Sequence, residues 1–200
     1  MNMHEGSKNF KGKEGVIMKK TLLLALMVRL FLMSANLAYA ATDSTDQTVT
    51  LIVDEIAVVD VTGNPAAMNI TAPTTGGQNP LSDTDTSTSV NYTSTVASGS
   101  TRTITVNMGG SDVFPAGTTL KLTAGAPQEG YYGTPGSSAG QKIITASAQT
   151  IITGIGSTAT GVGADKGCQL QFSFEVSNVG NLVAGENKGI TLTYTLTDDQ

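Results

Sequence analysis

Apolar and polar residues alternate with a period of two along much of this chain, the mark of half-buried β-strands. In Cys168-Gln-Leu170-Gln-Phe172-Ser-Phe174-Glu-Val176 every even position is apolar and every odd one polar. Ile190-Thr-Leu192-Thr-Tyr194-Thr-Leu196-Thr repeats the pattern without an error. Arg102-Thr-Ile104-Thr-Val106-Asn-Met108 and Leu120-Lys-Leu122-Thr-Ala124 predict a third and a fourth strand. Residues 90–96 and 68–72 read as shorter strands, and residues 142–153 as one or two around Ile143/Ile144 and Ile151/Ile152. Nearer the start, Val49, Leu51 and Val53 alternate, and Asp54-Glu55 then shift the phase to Ile56 and Val58. A bulge at the acidic pair, or a strand that changes sheets, is the expected cause.

Ser98-Gly99-Ser100, Gly109-Gly110-Ser111-Asp112, Pro115-Ala116-Gly117 and residues 178–185 supply turn chemistry between these strands. Two longer polar stretches, 73–89 and 125–141, interrupt the meander. No segment shows a helical period, and the irregular spacing disfavours a solenoid. Seven to nine short strands, each with one apolar face, must bury that face against a second sheet. The predicted fold is all-β: an antiparallel, immunoglobulin-like β-sandwich.

The first forty residues read differently. Met18-Lys19-Lys20 precede apolar runs at 22–28 and 30–33, and Ala38-Tyr39-Ala40 follows. A positive start, an apolar middle and a small-x-small end make a cleavable export signal. Arg29 interrupts the apolar run, too short already for a bilayer span of about 20 residues. Residues 18–40 are therefore expected to be a signal peptide, and residues 41–200 one secreted or cell-surface domain with no membrane span after cleavage. Lys13-Glu14-Gly15 can be encoded by a ribosome-binding sequence just ahead of the Met18 codon. Translation is thus expected to begin at Met18, with residues 1–17 a mis-assigned extension and His4, the single histidine, without a role.

Composition narrows the chemistry of the 160 residues after Ala40. Threonine dominates, with 29 of them, which suits pleated surfaces. Five cations (Arg102, Lys121, Lys142, Lys166 and Lys188) face fourteen carboxylates, a net charge of −9. Such a surface offers no footprint for nucleic acid or anionic lipid. With no histidine there, Ser-His-Asp and Cys-His catalysis are excluded, and Asp54-Glu55 point to opposite faces of a strand. The expectation is a non-enzyme with no cofactor. Cys168 shares the phase of Leu170 and Phe172 and is expected in the core, where a thiol is a small hydrophobe.

Three candidate sites remain. Asp83, Asp85 and Ser87 carry the alternate oxygens with which calcium loops begin. Thr88 and Ser94 stand where such a loop needs Gly and Glu, so no metal is expected and a solvated linker is the preferred reading. Tyr131 and Tyr132, with Gln128 and Glu129 beside them in a Gly/Pro loop, could stack on a sugar face. The last predicted strand ends the chain, and terminal strands often lie at sheet edges. Its outward face is Thr191, Thr193, Thr195 and Thr197, with no Lys, Pro or bulge inside it to guard it. Self-association through that edge is expected, with Thr193→Pro removing a backbone donor. The opening segment 41–48 could cross to a neighbour, although it has no alternating apolar anchors.

Five blocks carry a resemblance: Thr50-Leu-Ile-Val-Asp-Glu-Ile-Ala-Val-Val-Asp60, Asn91-Tyr-Thr-Ser94, Pro115-Ala-Gly-Thr-Thr-Leu120, Gln149-Thr-Ile-Ile-Thr-Gly-Ile-Gly156 and Thr191-Leu-Thr-Tyr-Thr-Leu-Thr-Asp198. Over residues 41–200 the chain resembles a group of small exported bacterial β-proteins without an established activity. The resemblance implies fold and export only. Residues 193–198 also resemble the closing strand of WxL cell-wall-binding domains, with Tyr194 in place of the Trp and no second copy upstream. The function these readings favour is a structural or adhesion module of the bacterial envelope, fimbrial-like and partnered by copies of itself or other envelope proteins. The alternative is a carbohydrate-binding module that takes a glycan on the Tyr131/Tyr132 loop.

Overall fold

The computed structural model describes Met27 and residues 44–199, so the predicted extension at 1–17 and, apart from Met27, the predicted signal at 18–40 lie outside the described residues. The chain divides into two units, Met1–Leu51 and Ile52–Gln200. In the first, residues 44–51 carry no regular secondary structure, and their side chains are exposed. The second begins the same way, and its first strand starts at Ile56.

Strands account for almost all the regular structure among the described residues. In chain order they are β1 (Ile56–Thr62), β2 (Asp83–Thr95), β3 (Arg102–Met108), β4 (Thr118–Pro127), β5 (Tyr132–Gly133), β6 (Ser137–Ser138), β7 (Lys142–Ile143), β8 (Gln149–Ile155), β9 (Thr158–Ala159), β10 (Cys168–Val176) and β11 (Leu192–Asp198). Four are two-residue strands, which leaves seven of substantial length. The alternation that predicted β3 is kept in full: Arg102, Ile104, Val106 and Met108 are buried, and the residues between them are half-exposed. In β10 the same holds for Cys168, Leu170 and Phe172.

All pairings are antiparallel, and two sheets face each other. One runs β5-β9-β2-β10-β4-β7 with β1 added on β2, and the other runs β11-β3-β8-β6. β1 covers residues 89–95 of β2 on one edge, so β10 (over 83–90) and β9 (at 93 and 94) share the opposite edge. The fold is the all-β sandwich that the alternation predicts. Its fully buried core is Ile104, Leu122, Ile144, Ile151, Ile152, Ile155 and Leu170, with Val90 and Val106. Cys168 is in that core as expected.

Three local readings change. The polar stretch 73–89 is not all linker: β2 begins at Asp83 and runs thirteen residues. Backbone pairing with β10 makes it a strand without an apolar alternation, and side chains serve its other edge. Asp83 and Asp85 accept hydrogen bonds from the backbone N–H groups of Asn69 and Ala66, which holds segment 66–69 along the strand. The predicted strand at 68–72 is reduced to a single bridge, Thr71 to Leu81. Asp54-Glu55 makes no bulge within a strand, because residues 44–55 carry no regular secondary structure. In β1 the apolar residues that lean on the core are Val59 and Val61, whereas Ile56 and Val58 face out.

Candidate functional site

The terminal strand β11 is an edge strand, and among the described residues the backbone of its outer side has no partner strand. Gly109 N–H donates to Thr191 O, and Asp199 N–H donates to Thr101 O, on the same register that pairs β11 with β3. Antiparallel strands alternate bonded and non-bonded pairs. Thr193, Thr195 and Thr197 therefore spend their backbone groups on β3. Those of Leu192, Tyr194 and Leu196 point away from the sheet. This corrects the expectation for Thr193→Pro: the lost donor would be one that binds β3, not one that the edge offers. The Thr191, Thr193, Thr195 and Thr197 side chains are exposed as predicted. Leu192, Tyr194 and Leu196 turn inward but are only half-buried.

That half-burial marks a gap in the core. β1 ends one sheet and β11 the other on the same flank, and they approach each other there. Val59, Val61, Met68, Phe114, Leu192 and Tyr194 pack against the core from this side without being closed over. Between them lies a groove of about 720 Å³, bordered by segment 63–69, by residues 186–190 and by β11. The Thr88 hydroxyl in its wall is buried and has no hydrogen-bond partner among the described residues. Burial raises the Tyr194 phenol well above its ordinary value, so the ring is neutral throughout the physiological range.

Arg102 closes the other end of this flank. Its side chain is 5 % exposed, at an inward position of β3 where the pattern calls for an apolar residue. Nε donates to Asp198 at 2.7 Å and Nη2 to Glu55 at 3.3 Å. Nη1 donates to Ile56 O, to Thr95 O and to Ser94 Oγ. One guanidinium thereby ties the start of β1, the end of β2 and the end of β11 to β3, as its planar fork of donors allows. The signal was present in the sequence as a lone cation in an apolar phase.

The acidic candidates are occupied with the fold. Asp83 also accepts from Thr84 N–H, and Asp85 from the backbone and hydroxyl of Ser87. Desolvation opposes ionisation of Asp85, but the bonds from Ser87 and Ala66 outweigh it and hold its carboxyl below the ordinary value. These oxygens serve the β2 to 66–69 contact, so the solvated-linker reading is corrected to a side-chain clamp.

Tyr132 opens β5, paired with Ala159 of β9, rather than standing in a loop, and both tyrosine rings stay available. Tyr132 is 79 % exposed, and Tyr131 is exposed to a lesser degree. The backbone beneath them is fixed: Thr158 Oγ1 donates to Tyr132 O, Gln128 N–H to Gly167 O, and Lys166 Nζ to Glu129 O. Glu129 is exposed and Gln128 half-buried, and none of the four lines the groove. Cys168 is sealed, with its thiol 3.5 Å from the Tyr92 hydroxyl, and burial raises its pKa although the Tyr92 bond acts the other way. Among the described residues no helix is long and apolar enough to cross a membrane.

No family model, curated protein or solved structure matches this chain. The site therefore stands on its geometry alone.

Proposed function

We propose that this protein is an exported, non-enzymatic structural module of the bacterial envelope that assembles through the β11 edge of its sandwich. The observation that carries this reading is the row of outward backbone groups at Leu192, Tyr194 and Leu196 on a strand with no internal guard. Strand addition to such an edge supplies affinity from main-chain bonds and specificity from alternate side-chain pockets. The signal-like segment at 18–40 supports export.

The test is sedimentation and electron microscopy of the purified protein over a wide concentration range, beside Leu196→Lys. An inward charge on an edge strand is a natural guard against pairing. The wild type assembles, and the variant stays monomeric with an unchanged far-ultraviolet circular dichroism spectrum. A wild type that remains monomeric at every concentration overturns the reading.

Exposure of both rings of Tyr131-Tyr132 favours a second reading, glycan binding at that loop. Glycan-array signal that disappears in a Tyr131→Ala/Tyr132→Ala double variant would promote it over assembly.

A further inference from the structure

The same molecule carries an unpaired alternating segment and a strand edge beside a groove, and the spacing of the two agrees. Residues 48–53 read Thr-Val-Thr-Leu-Ile-Val, with Val49, Leu51 and Val53 at alternate positions. No strand includes them, and Leu51 and Val53 are 87 % and 82 % exposed. An alternating apolar segment bare to water is a strand without a sheet, and a run of this kind marks an interaction surface. On the acceptor side, Leu192, Tyr194 and Leu196 present three outward backbone positions at the same spacing of two residues. In both segments the three positions span about 13 Å.

We propose that residues 48–53 of one copy are a donor strand that adds to the β11 edge of a second copy and places Val49, Leu51 and Val53 over its groove. This rests on the assembly reading above and names the two surfaces that meet. Residues directly opposed in a bonded pair put their side chains on one face. Donor residues opposite Leu192, Tyr194 and Leu196 therefore turn inward with them, and those opposite Leu192 and Tyr194 face Val61, Met68 and Phe114 of the groove wall. The residues between the anchors are Thr50 and Ile52, which turn outward alongside Thr193 and Thr195. The donor takes up the edge donors and acceptors and covers the half-buried apolar row together.

The occupant is a second copy because of where the segment is rooted. Arg102 holds Glu55 and Ile56 at the Asp198 end of β11. The groove lies toward Val61 and Leu192, five residues further along β1 and six back along β11. To fill its own groove the chain would have to reverse just before Ile56, and residues 52–55 contain no turn or bend. Donor and acceptor are different surfaces, so the contact is head-to-tail and propagates as an open filament. The segment 41–48 is replaced as donor by the one that follows it, which has the apolar anchors that 41–48 lacks.

Three measurements test this. The wild type forms filaments, whereas Leu51→Asp, a change in an exposed segment that leaves the sandwich intact, stays monomeric. A fluorescent peptide of residues 47–54 binds the Leu51→Asp protein saturably, and the same peptide carrying Asp at 51 binds at least about tenfold more weakly, as loss of a buried leucine requires. Ile190→Asp, at the groove mouth, blocks the acceptor. Mixed with Leu51→Asp it gives a heterodimer and nothing longer, because one working surface remains on each partner. Circular dichroism melts report whether Ile190→Asp is folded, and the peptide result stands without it. Filaments formed equally by Leu51→Asp, or a peptide that does not bind, overturn the donor assignment and leave edge assembly standing. A wild type that never assembles, with no peptide binding, overturns both.

Discussion

Replacing Arg102 with Met keeps an unbranched apolar stem in the core and removes the guanidinium alone. Two kinds of bond are lost. The carboxylate partners Glu55 and Asp198 are 57 % and 71 % exposed, so each ion pair is worth only about 0.2–1 kcal/mol. The carbonyls of Ile56 and Thr95 lose a charged donor in a part-buried setting, where such bonds contribute about 1.5–3 kcal/mol each. Relief from burying the guanidinium offsets part of this, which leaves a net loss of about 3 kcal/mol. For a domain of this size that lowers Tm by roughly 6–12 °C. Thermal melts and urea titrations followed by circular dichroism measure it, with m unchanged if only stability has moved. Arg102→Lys recovers a minor part, because an ammonium cannot reach three strand ends at once. Most of the loss survives high salt, since the bonds to carbonyls are not screened as the exposed carboxylates are. A shift of less than about 2 °C in Arg102→Met, or a variant that melts higher, would refute the assignment of Arg102 as the clamp of this flank.

Acid should weaken the fold through two carboxylates. Bonds from Lys121 and Ser173 hold Glu175 below its ordinary 4.5, and those from Ser87 and Ala66 hold Asp85 below 3.8. Groups with depressed values stabilise the folded state above their ordinary values and lose that contribution as pH falls through the folded ones. The urea midpoint should therefore drop on acidification below 4.5 through Glu175 and below 3.8 through Asp85 as well, and drop less in Glu175→Gln and Asp85→Asn; equal drops would discard the linkage. Cys168 should resist a thiol reagent in native buffer and react once urea unfolds the chain, and rapid native labelling would mean the core opens there.

Period-two alternation determined the strands whose one face is apolar: β3, β10 and β11 stand where the pattern put them, and so does Cys168. The two-sheet sandwich follows from the same pattern, because each apolar face needs another to cover it. Burial also settled the phase of β11, with threonines out and Leu192, Tyr194 and Leu196 in. Polar pairing was illegible. Residues 83–89 of β2 could not be read as strand, unlike 90–95, because they carry no apolar face and Asp83 and Asp85 bind a loop distant in sequence. Only the tertiary structure set β11 beside β1, and so opened a groove between two edges that no local pattern records. It also decided which backbone groups of β11 face outward, since the phase of hydrogen bonding depends on the partner strand. Arg102 shows the division in one residue. The sequence marked it as a charge in an apolar phase, and the fold brought Glu55, Ile56, Thr95 and Asp198 to it, a convergence that depends on how four chain segments meet in space.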